Sequence, residues 1–583
     1  MKKLLLVLTM TVVLPTAAAA ARGPSPAGQE HGGAGLGKAA AAGRPAAAQV
    51  STGAQFSTAG PASAAAQGAA APGRERLFVG FAKTPGASER ALVARFGGTV
   101  RHSFPSIDAL AIELDSAKVS DLARAGGVRY VEQDPVRKPL SLLDLEHAQL
   151  VPDISNGLYG LVTTNAVAAH DDGFTGSGVK ACVADTALDT GHPDIADNFV
   201  LGYNVFDGSN DVDASSLDVA DTETHATHVS GILLGVDNSK GILGVAPGAQ
   251  LYEARVLQTT TDHPGPHGSI VVEGSTSDVM AGVQWLADQG CRVINMSLGG
   301  GHRSRSEEML YQQVTEGGTL IVAAAGNDAR RKIEYPAAYP EVMSVGAVDV
   351  DDNLADFSNT GRGLDIVAPG VGVLSSVPMG EGRAALVNDG STEYEGIGME
   401  FAGLTDASGV DGKLYDCGIA DTTTSCPADV NGNIALIERG AVTFAQKVAD
   451  VMAQGAIGAI IYNNASGNFS GTLGTADNNG EAWIPAISVS QEDGQTLAGE
   501  ADGSTSVTLV NAPTRWDFFG GTSMATPHVA GVAALVLGKN PDLSPGEVRD
   551  ILDGSAMDLG TPGYDTTYGN GLVDATAALD ATP

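Results

Sequence analysis

The chain is poor in cysteine and in positive charge. Four cysteines in 583 residues cannot form the main scaffold of a fold of this size. Acidic residues number 68 against 33 lysines and arginines, a formal net charge of −35. The imbalance lies after residue 150, because residues 1–150 hold 16 basic and 11 acidic side chains. An acidic surface repels nucleic acid and anionic lipid, so we expect neither as a partner.

Long apolar runs are also absent beyond the first residues. No later stretch approaches the roughly 18 consecutive apolar residues of a membrane-spanning helix, so we expect no membrane insertion. Residues 1–21 read MKKLLLVLTMTVVLPTAAAAA, with two lysines, a short apolar run and then small residues. This is the pattern of a signal peptide. We therefore expect a secreted protein.

Two segments follow the signal. Residues 22–76 are dominated by alanine, glycine, proline and serine, which bury no core, and we predict a disordered linker. Residues 77–138 predict a small α+β unit. Strands are expected at RLFVGFA, ALAIELD and VRYVEQD, and helices at SERALVARFG and SAKVSDLARAG.

From Gly178 onward, apolar strands alternate with helices and are followed by glycine-rich loops. The strands are expected at VKACVAD, LYEARVL, CRVINMSLGG, LIVAAAGN and VMSVGAVD. This pattern predicts an α/β fold with a doubly wound, mainly parallel sheet. A functional site is then expected at the carboxyl ends of the strands.

Ser523 stands in the stretch GGTSMATPHVAG, ahead of a run of small apolar residues. We predict a buried helix there, with Pro527 in its first turn and an end near Gly538. A serine at a helix N-terminus is either a nucleophile beside free N–H groups or an ordinary N-cap. Only partners elsewhere in the chain distinguish the two.

An acid and a base stand earlier in the chain. Asp185 ends the strand VKACVAD, and His225 and His228 lie in THATHVSG. An aspartate, a histidine and a serine suit acyl transfer, because imidazole accepts the hydroxyl proton and the carboxylate holds its tautomer. Each residue alone is more often a turn residue or a structural hydrogen bonder.

The motifs around these residues resemble those of the subtilisin-like serine proteases, the subtilases. GTSMATPHVAG matches the family's serine motif, HATHVSG resembles its histidine motif and VADTALDTGHPD its aspartate motif. The likeness extends over residues 159–377 and 513–578. It implies a subtilisin-like serine endopeptidase with Asp185 as orienting acid, His225 as base, Ser523 as nucleophile and Asn327 as donor to the oxyanion. His228 and His528 are then neighbours and not bases.

Two residues depart from the family pattern. Ala187 and Ala226 stand where subtilases usually have glycine, beside the acid and the base. A methyl group is tolerated there only where φ is negative and there is space. The alternative function is a catalytically impaired subtilase that acts as a secreted binding protein.

The resemblance also implies where a peptide binds. Two glycine- and alanine-rich segments would form walls of the pocket for the residue before the cut bond, and their small side chains alternatively serve packing alone. Glu334 would lie at the pocket floor and favour lysine or arginine. The expected substrate-binding residues are Ser297, Leu298, Gly299, Gly300, Ala324, Gly326 and Glu334.

A structural calcium site is a further implication. GVDNSKGILGVAP resembles a family calcium loop, although an ordinary turn is the alternative. The expected ligands are Asp194, Val236, Asn238, Lys240 and Ile242.

Asn327 and Ser523 are 196 positions apart, which is more chain than the sheet needs and indicates an inserted domain. Residues 385–511 look like the protease-associated domain of some subtilases, which would shape substrate access, bind protein or act as a spacer. Cys417 and Cys426 enclose a short loop in it and are expected to form a disulfide. Cys182 and Cys291 are expected as buried free thiols, because bridges between adjacent parallel strands are strained.

The unit at 77–138 resembles the family's inhibitory propeptide, with a cut expected between Arg137 and Asp153. The catalytic domain would then comprise residues 139–384 and 512–583. The expected partners are protein or peptide substrates and the chain's own propeptide, and the expected state is a monomer that needs no organic cofactor.

Overall fold

The structure is a computed structural model that describes residues 73–140, 142–143, 158–220, 222–238, 241–260, 271–422, 425–469, 471–475 and 477–583. By its internal contacts the chain divides into Met1–Ala62 and Ser63–Pro583, and every described residue belongs to the second unit. The predicted signal peptide and almost all of the predicted linker lie outside the described residues. None of the helices within these ranges is both long enough and apolar enough to span a bilayer.

The first described part of the chain, residues 74–134, is called the N-terminal unit below. It contains a four-stranded antiparallel sheet in the order β2-β3-β1-β4. Leu77 and Val79 on one face of β1 pack with the helices, whereas Phe78 on the other face joins a core of the next domain. This alternation makes the sheet a layer between its own helices and that domain. The elements are β1 Arg74–Phe81, α1 Ala87–Arg95, β2 Thr99–Phe104, β3 Ala109–Asp115, α2 Val119–Ala123 and β4 Val128–Gln133.

Strand β2 was not predicted. Its residues TVRHSF are mostly polar, and only Phe104 is fully buried. The strand lies at the edge of the sheet, where a continuous apolar face is not required.

The central layer is a seven-stranded sheet in the order β16-β15-β14-β12-β7-β9-β8, with every pairing parallel. Val183 faces a core that contains the helices His225–Leu234 and Thr522–Lys539. Cys182 and Ala184 face a second core, which contains the helices Thr276–Asp288 and Arg305–Glu316. The predicted doubly wound parallel sheet is confirmed. The elements are α3 Tyr159–Thr163, α4 Ala166–Asp171, β7 Lys180–Asp185, β8 Phe199–Asn204, α5 His225–Leu234, β9 Gln250–Arg255, α6 Thr276–Asp288, β12 Val293–Met296, α7 Arg305–Glu316, β14 Leu320–Ala324, β15 Val342–Val348 and β16 Ile366–Pro369.

Short strands lie around the carboxyl edge of this sheet and form two further small sheets. They carry the chain segment that links the N-terminal unit to the central domain. The strands are β5 Val136–Pro139, β6 Leu142–Leu143, β10 Gln258–Thr260, β11 Val271–Ser275, β13 Leu298–Gly299, β17 Val373–Ser376 and β25 Trp516–Gly520.

Between β17 and β25 the chain forms a closed barrel in the order β18-β19-β23-β22-β21-β20-β24. A disulfide joins Cys417 and Cys426 at its periphery. The elements are β18 Gly382–Asn388, β19 Glu393–Gly398, β20 Val410–Asp416, β21 Ile434–Glu438, α8 Phe444–Ala453, β22 Gly458–Tyr462, β23 Ala486–Val489, α9 Gln491–Ala498 and β24 Asp502–Thr514.

The chain then returns to the central domain through the helices α10 Thr522–Lys539, α11 Pro545–Ser555 and α12 Ala575–Ala581. Helix α10 is buried along nearly its whole length, as its small apolar residues predict. Pro527 lies in the second turn and not in the first, so the prediction for this residue was wrong. Pro527 has no N–H to donate to the Ser523 carbonyl, and the hydroxyl of Ser297 donates to it instead, at 2.7 Å.

Cys182 and Cys291 form a disulfide, which corrects the expectation of free thiols. The prediction placed both residues in adjacent strands. Cys291 in fact precedes β12, whose Ile294 is the residue that pairs with Cys182. The two Cα atoms are 6.0 Å apart, within the usual range for a bridge.

Candidate active site

Asp185 and His225 meet at the carboxyl edge of the sheet. Asp185 is the last residue of β7 and His225 the first of α5. The Nδ1 atom of His225 lies 2.8 Å from Oδ1 of Asp185, which also accepts the N–H of Thr186 at 2.7 Å. Asp185 is fully buried and His225 is nearly so. The carboxylate therefore holds the imidazole with Nδ1 protonated and Nε2 available to accept a proton.

The alanines beside this pair are accommodated. Neither Ala187 nor Ala226 has a positive φ. The N–H of Ala187 donates to Glu223 at 3.0 Å, and that of Ala226 to the Thr186 hydroxyl at 3.0 Å. Both methyl groups are buried without opening the contact between Asp185 and His225.

Ser523 lies at the N-terminus of α10, with its hydroxyl turned toward the neighbouring strand. Its Oγ donates to the Ser297 carbonyl at 2.8 Å and accepts the N–H of Leu140 at 3.0 Å. Within the described ranges, His225 Nε2 has no hydrogen-bond partner. The structure thus joins Asp185 to His225, whereas the Ser523 hydroxyl is hydrogen bonded to Ser297 and Leu140.

The carbonyl of Leu140 occupies a site with two donors. Its oxygen accepts the N–H of Ser523 at 3.1 Å and Nδ2 of Asn327 at 2.7 Å. Oδ1 of Asn327 accepts both the N–H of Thr522 at 2.9 Å and its hydroxyl at 2.8 Å. These contacts fix the orientation of the amide, so that Nδ2 points at the Leu140 carbonyl. Such a pair of donors stabilises negative charge on that oxygen.

The other two histidines of these motifs are structural. His228 stacks on Phe519, and its Nε2 faces two backbone carbonyls. Burial lowers the pKa of His228 to about 3 and that of His528 to about 4. Both are therefore neutral near pH 7, and neither lies where it would take the proton of Ser523.

Strand β5 occupies the cleft as a peptide would. It pairs antiparallel with β13 on one side, where Pro139 faces Leu298 and Lys138 faces Gly299. On the other side it pairs antiparallel with β11, which the sequence analysis missed. The run VVEGS is apolar at its start and precedes a helix, which is the signal that would have indicated a strand. Both edges of this segment are thus hydrogen bonded to strands of the central domain.

Leu140 enters the pocket predicted for the residue before the cut bond. A Cβ atom on Gly299 would lie 2.6 Å from Cδ1 of Leu140 and 3.0 Å from Oε2 of Glu334. A Cβ atom on Gly326 would lie 2.9 Å from Cγ of Glu334. The two glycines therefore leave the space that the leucine and the glutamate share. Burial, and then the charge of Asp328, raise the pKa of Glu334.

Of the remaining predicted substrate-binding residues, Ser297 and Gly300 lie beside the bound segment, whereas Ala324 lies within the sheet. Ser297 contacts both Ser523 and Leu140, because its carbonyl accepts the Ser523 hydroxyl and also the N–H of Leu140, the latter at 3.3 Å. Gly300 lies beside the bound strand, where a Cβ atom would be 2.7 Å from the Val136 carbonyl. Ala324 ends β14 and is buried in the sheet.

Acidic residues of the N-terminal unit contact the N-termini of two helices. Asp134 accepts the N–H of Ser277 at 2.8 Å and its hydroxyl at 2.6 Å, at the start of α6. Glu132 accepts the N–H groups of Arg305 and Ser306 at the start of α7. Carboxylates are favoured at these positions because the first N–H groups of a helix have no partner within it. These contacts have no signal in the sequence, because they join segments more than 140 residues apart.

The predicted calcium loop closes on Asp194 through hydrogen bonds. Oδ2 of Asp194 accepts the N–H of Ile242 at 3.1 Å, the Ser376 hydroxyl at 2.9 Å and the Trp516 indole N–H at 2.8 Å. Nδ2 of Asn238 donates to the Pro193 carbonyl at 3.1 Å. Val236 pairs with Asp194 through its N–H, and Lys240 lies outside the described residues.

Three donors already occupy Asp194 Oδ2, so these residues as placed do not fit a calcium ion bound through that oxygen. Nowhere in the described parts of the chain do three or more histidine, cysteine, aspartate or glutamate side chains gather as for a metal.

The sequence of subtilisin E from Bacillus subtilis (strain 168) is 35% identical over 324 residues, which cover 54% of this chain and 77% of that protein. The chain belongs to the subtilase family. The family match spans residues 176–396, a PA domain matches residues 382–497, and a fervidolysin N-terminal prodomain matches residues 58–134. The protein is therefore a serine endopeptidase with a prodomain and a protease-associated domain.

Other relatives agree with this assignment. The alkaline protease of Shouchella clausii is 39% identical over 277 residues, covering 48% of this subtilase and 64% of that protein. The crystal structure of the subtilisin-like protease Apa1 from Pseudoalteromonas sp. AS-11 is similar, with a TM-score of 0.51 and 29% identity, and covers 72% of this chain and 96% of that chain. Fervidolysin from Fervidobacterium pennivorans shares the fold, with a TM-score of 0.55 at 22% identity, over 87% of this chain and 61% of that chain.

Proposed function

We propose that this subtilase cuts its own chain between Leu140 and Ser141 and then hydrolyses protein substrates in the same cleft. The observation that carries the proposal is the Leu140 carbonyl oxygen, which lies within hydrogen-bond distance of both Ser523 N and Asn327 Nδ2. We therefore propose that the peptide bond after Leu140 is the one that is cut, since Leu140 directly follows β5. This narrows the cut expected between Arg137 and Asp153 to one peptide bond.

The reaction follows from the placement of the groups. Ser523 turns from Ser297 to His225, whose Nε2 takes the hydroxyl proton as Oγ attacks the Leu140 carbonyl carbon. The oxyanion that forms is held by the Ser523 N–H and the Asn327 amide. His225 then gives its proton to the departing nitrogen of Ser141, which leaves Leu140 esterified to Ser523. Water attacks the ester, its proton passes to His225, and Leu140 leaves as a carboxylate while Ser523 regains its hydroxyl.

Asp185 supports both proton transfers. It holds Nδ1–H of His225 and stabilises the imidazolium that exists while the proton is in transit. Its burial keeps water from competing for that hydrogen bond.

The N-terminal unit is proposed as an inhibitor that remains in place after the cut. Its segment up to Leu140 pairs with the enzyme on both edges, and Asp134 and Glu132 bind two helix ends. An active peptidase would be kept inert in this form until the unit is removed. We further propose that the protein is exported through residues 1–21 and acts outside the cell as a monomer.

A serine-directed fluorophosphonate tests the assignment of the nucleophile. We expect stoichiometric labelling of the processed wild type and none of Ser523→Ala, which should also stay uncut. Ser490→Ala, which changes a serine in the barrel that caps α9, is a matched control that should label and process normally. Absence of labelling in the wild type would support the impaired subtilase instead.

A further inference from the structure

Arg137 is a charged residue that is completely buried in the cleft. It is the fourth residue upstream of the proposed cut bond, and its side chain is 0% exposed. The guanidinium contacts Glu307 twice, from Nη2 to Oε2 at 2.5 Å and from Nε to Oε1 at 3.3 Å. Nη2 also donates to the His302 carbonyl at 3.1 Å, and Nη1 to the Val136 carbonyl at 3.3 Å. This two-point contact with a carboxylate is the geometry that arginine makes and lysine does not.

Glu307 is held in place by the enzyme and not by the bound strand. It lies in the first turn of α7, and its N–H donates to the Ser304 hydroxyl that caps the helix. The hydroxyl of Tyr339 lies 2.7 Å from Oε2, and that of Tyr311 lies 3.3 Å from Oε1. The carboxylate is therefore oriented by groups that remain when the N-terminal unit leaves.

The electrostatics of the pocket agree with this arrangement. Burial, followed by the charge of Glu307, raises the pKa of Tyr339, so that this phenol stays a neutral hydrogen-bond donor. Burial alone would lower the pKa of Arg137, but Glu307 more than offsets it and the pKa is raised. The pair is thus a fixed carboxylate with a guanidinium as its partner.

The pocket is also shaped for a long side chain. Gly300 lies under Arg137, and a Cβ atom there would come within 3.2 Å of Nη1. The backbone of Val136 runs close by, so that any side chain at position 300 would displace both. The space between Gly300 and Glu307 is what an extended arginine fills.

We propose that Glu307 makes this subtilase selective for arginine at the fourth residue upstream of the cut bond. The inference rests on the proposed cut after Leu140, which fixes the numbering of the bound residues. The substrate class is an extended peptide with arginine at that position and an apolar residue such as leucine before the cut, as in Arg137-Lys138-Pro139-Leu140. When the N-terminal unit has left, a substrate arginine restores the pairing of a carboxylate that would otherwise lose its partner.

Internally quenched peptides test the inference on the processed wild-type enzyme, with no substitution that could impair folding. The peptides share Xaa-Lys-Pro-Leu before the cut, with arginine, citrulline, lysine or norleucine as Xaa. Citrulline has the shape of arginine without its charge. We expect kcat/KM to be at least about 30-fold higher for arginine than for citrulline, which is ~2 kcal/mol, with lysine between them.

Substitution of the carboxylate should remove this preference. In Glu307→Gln the ratio of arginine to citrulline should fall to within about threefold, because the charge is lost and the side chain keeps its size. Glu308→Gln is the matched control, since Glu308 is the next residue of the same helix and pairs at the surface with Arg303. Its ratio should equal that of the wild type.

The outcomes separate the two proposals. Equal cleavage of the arginine and citrulline peptides by an active wild-type enzyme overturns the inference and leaves the proposed function intact. Failure to cleave any of the peptides, with no phosphonate labelling, overturns the proposed function and this inference with it. A preference for arginine that persists in Glu307→Gln overturns the assignment to Glu307.

Discussion

Asp134 should make the affinity of the N-terminal unit for the rest of the enzyme depend on pH. Its carboxylate is buried against Ser277, and this burial raises its pKa to about 6 despite the two hydrogen bonds from Ser277. Separation of the unit removes the contact with Ser277, and we expect the group then to be solvated and to titrate near the ordinary pKa of 3.8. The bound state therefore holds the proton more tightly, so binding strengthens as the pH falls through about 6 and weakens as it rises.

The size of the effect follows from the two pKa values. Linkage between a free value of 3.8 and a bound value of about 6 makes association about tenfold tighter at pH 5 than at pH 7. The neighbouring carboxyl of Asp278 does not oppose this change in affinity between pH 5 and pH 7. The pKa of Asp278 is lowered to about 2, mainly by its contacts with His102 and Arg101 against the effect of burial, so its contribution is lost only below about pH 4.

The assay is inhibition of the processed enzyme by added N-terminal unit, measured with a peptide substrate from pH 5 to pH 8. Asp134→Asn keeps the shape of the side chain and removes its titration, so the ratio of the two inhibition constants isolates this residue. We expect wild-type inhibition, relative to that of Asp134→Asn, to weaken about tenfold from pH 5 to pH 7. A ratio of wild-type to variant inhibition constant that stays constant from pH 5 to pH 7, or that falls as the pH rises, would refute the reasoning.

Three further predictions concern the enzyme itself. Asn327→Ala should lower kcat on a peptide by about 10²–10³-fold with little change in KM, because one of two oxyanion donors is lost. A variant that instead raises KM and leaves kcat unchanged would contradict that role. In an uncut Ser523→Ala background, replacing both Cys182 and Cys291 by alanine should cost about 2–4 kcal/mol in urea unfolding, since that bridge spans 109 residues, and should cost more than loss of the bridge in the barrel, which spans 9. The ratio of kcat/KM for lysine to that for leucine before the cut should rise with pH as Glu334 ionises. Because its pKa is raised, the rise should come at a higher pH than for an ordinary carboxyl, and a pH-independent ratio in the wild type would exclude Glu334 as the residue that binds lysine.

The sequence was sufficient to predict the central sheet and to propose the residues of a catalytic centre. The strands of a doubly wound sheet are continuous apolar runs, which are visible in the chain without knowledge of their partners. Asp185, His225 and Ser523 lie in local motifs, and the residues of these motifs together with their order in the chain indicate that the three residues act together. Only the resemblance to subtilases suggested Asn327 as the oxyanion donor. Its own sequence context shows no more than that it follows a strand.

The remaining features depend on contacts between distant residues. The disulfide of Cys182 forms because Cys291 lies two residues before the start of β12 and not within it. Apolar periodicity does not fix the start of a strand to within two residues. Glu307 reads in the sequence as an ordinary acidic residue in the first turn of a helix, and its partner Arg137 is 170 residues away. The polar edge strand β2 has no apolar pattern to mark it.

The most direct test of the account is the position of the cut that the chain makes in itself. Intact-mass and terminal-peptide measurements on the purified, processed protein should find an N-terminal fragment that ends at Leu140 and an enzyme that begins at Ser141, with neither product in Ser523→Ala. A cut at another bond, or the same cut in Ser523→Ala expressed alone, would contradict the proposal that the Leu140 carbonyl is held for attack by Ser523.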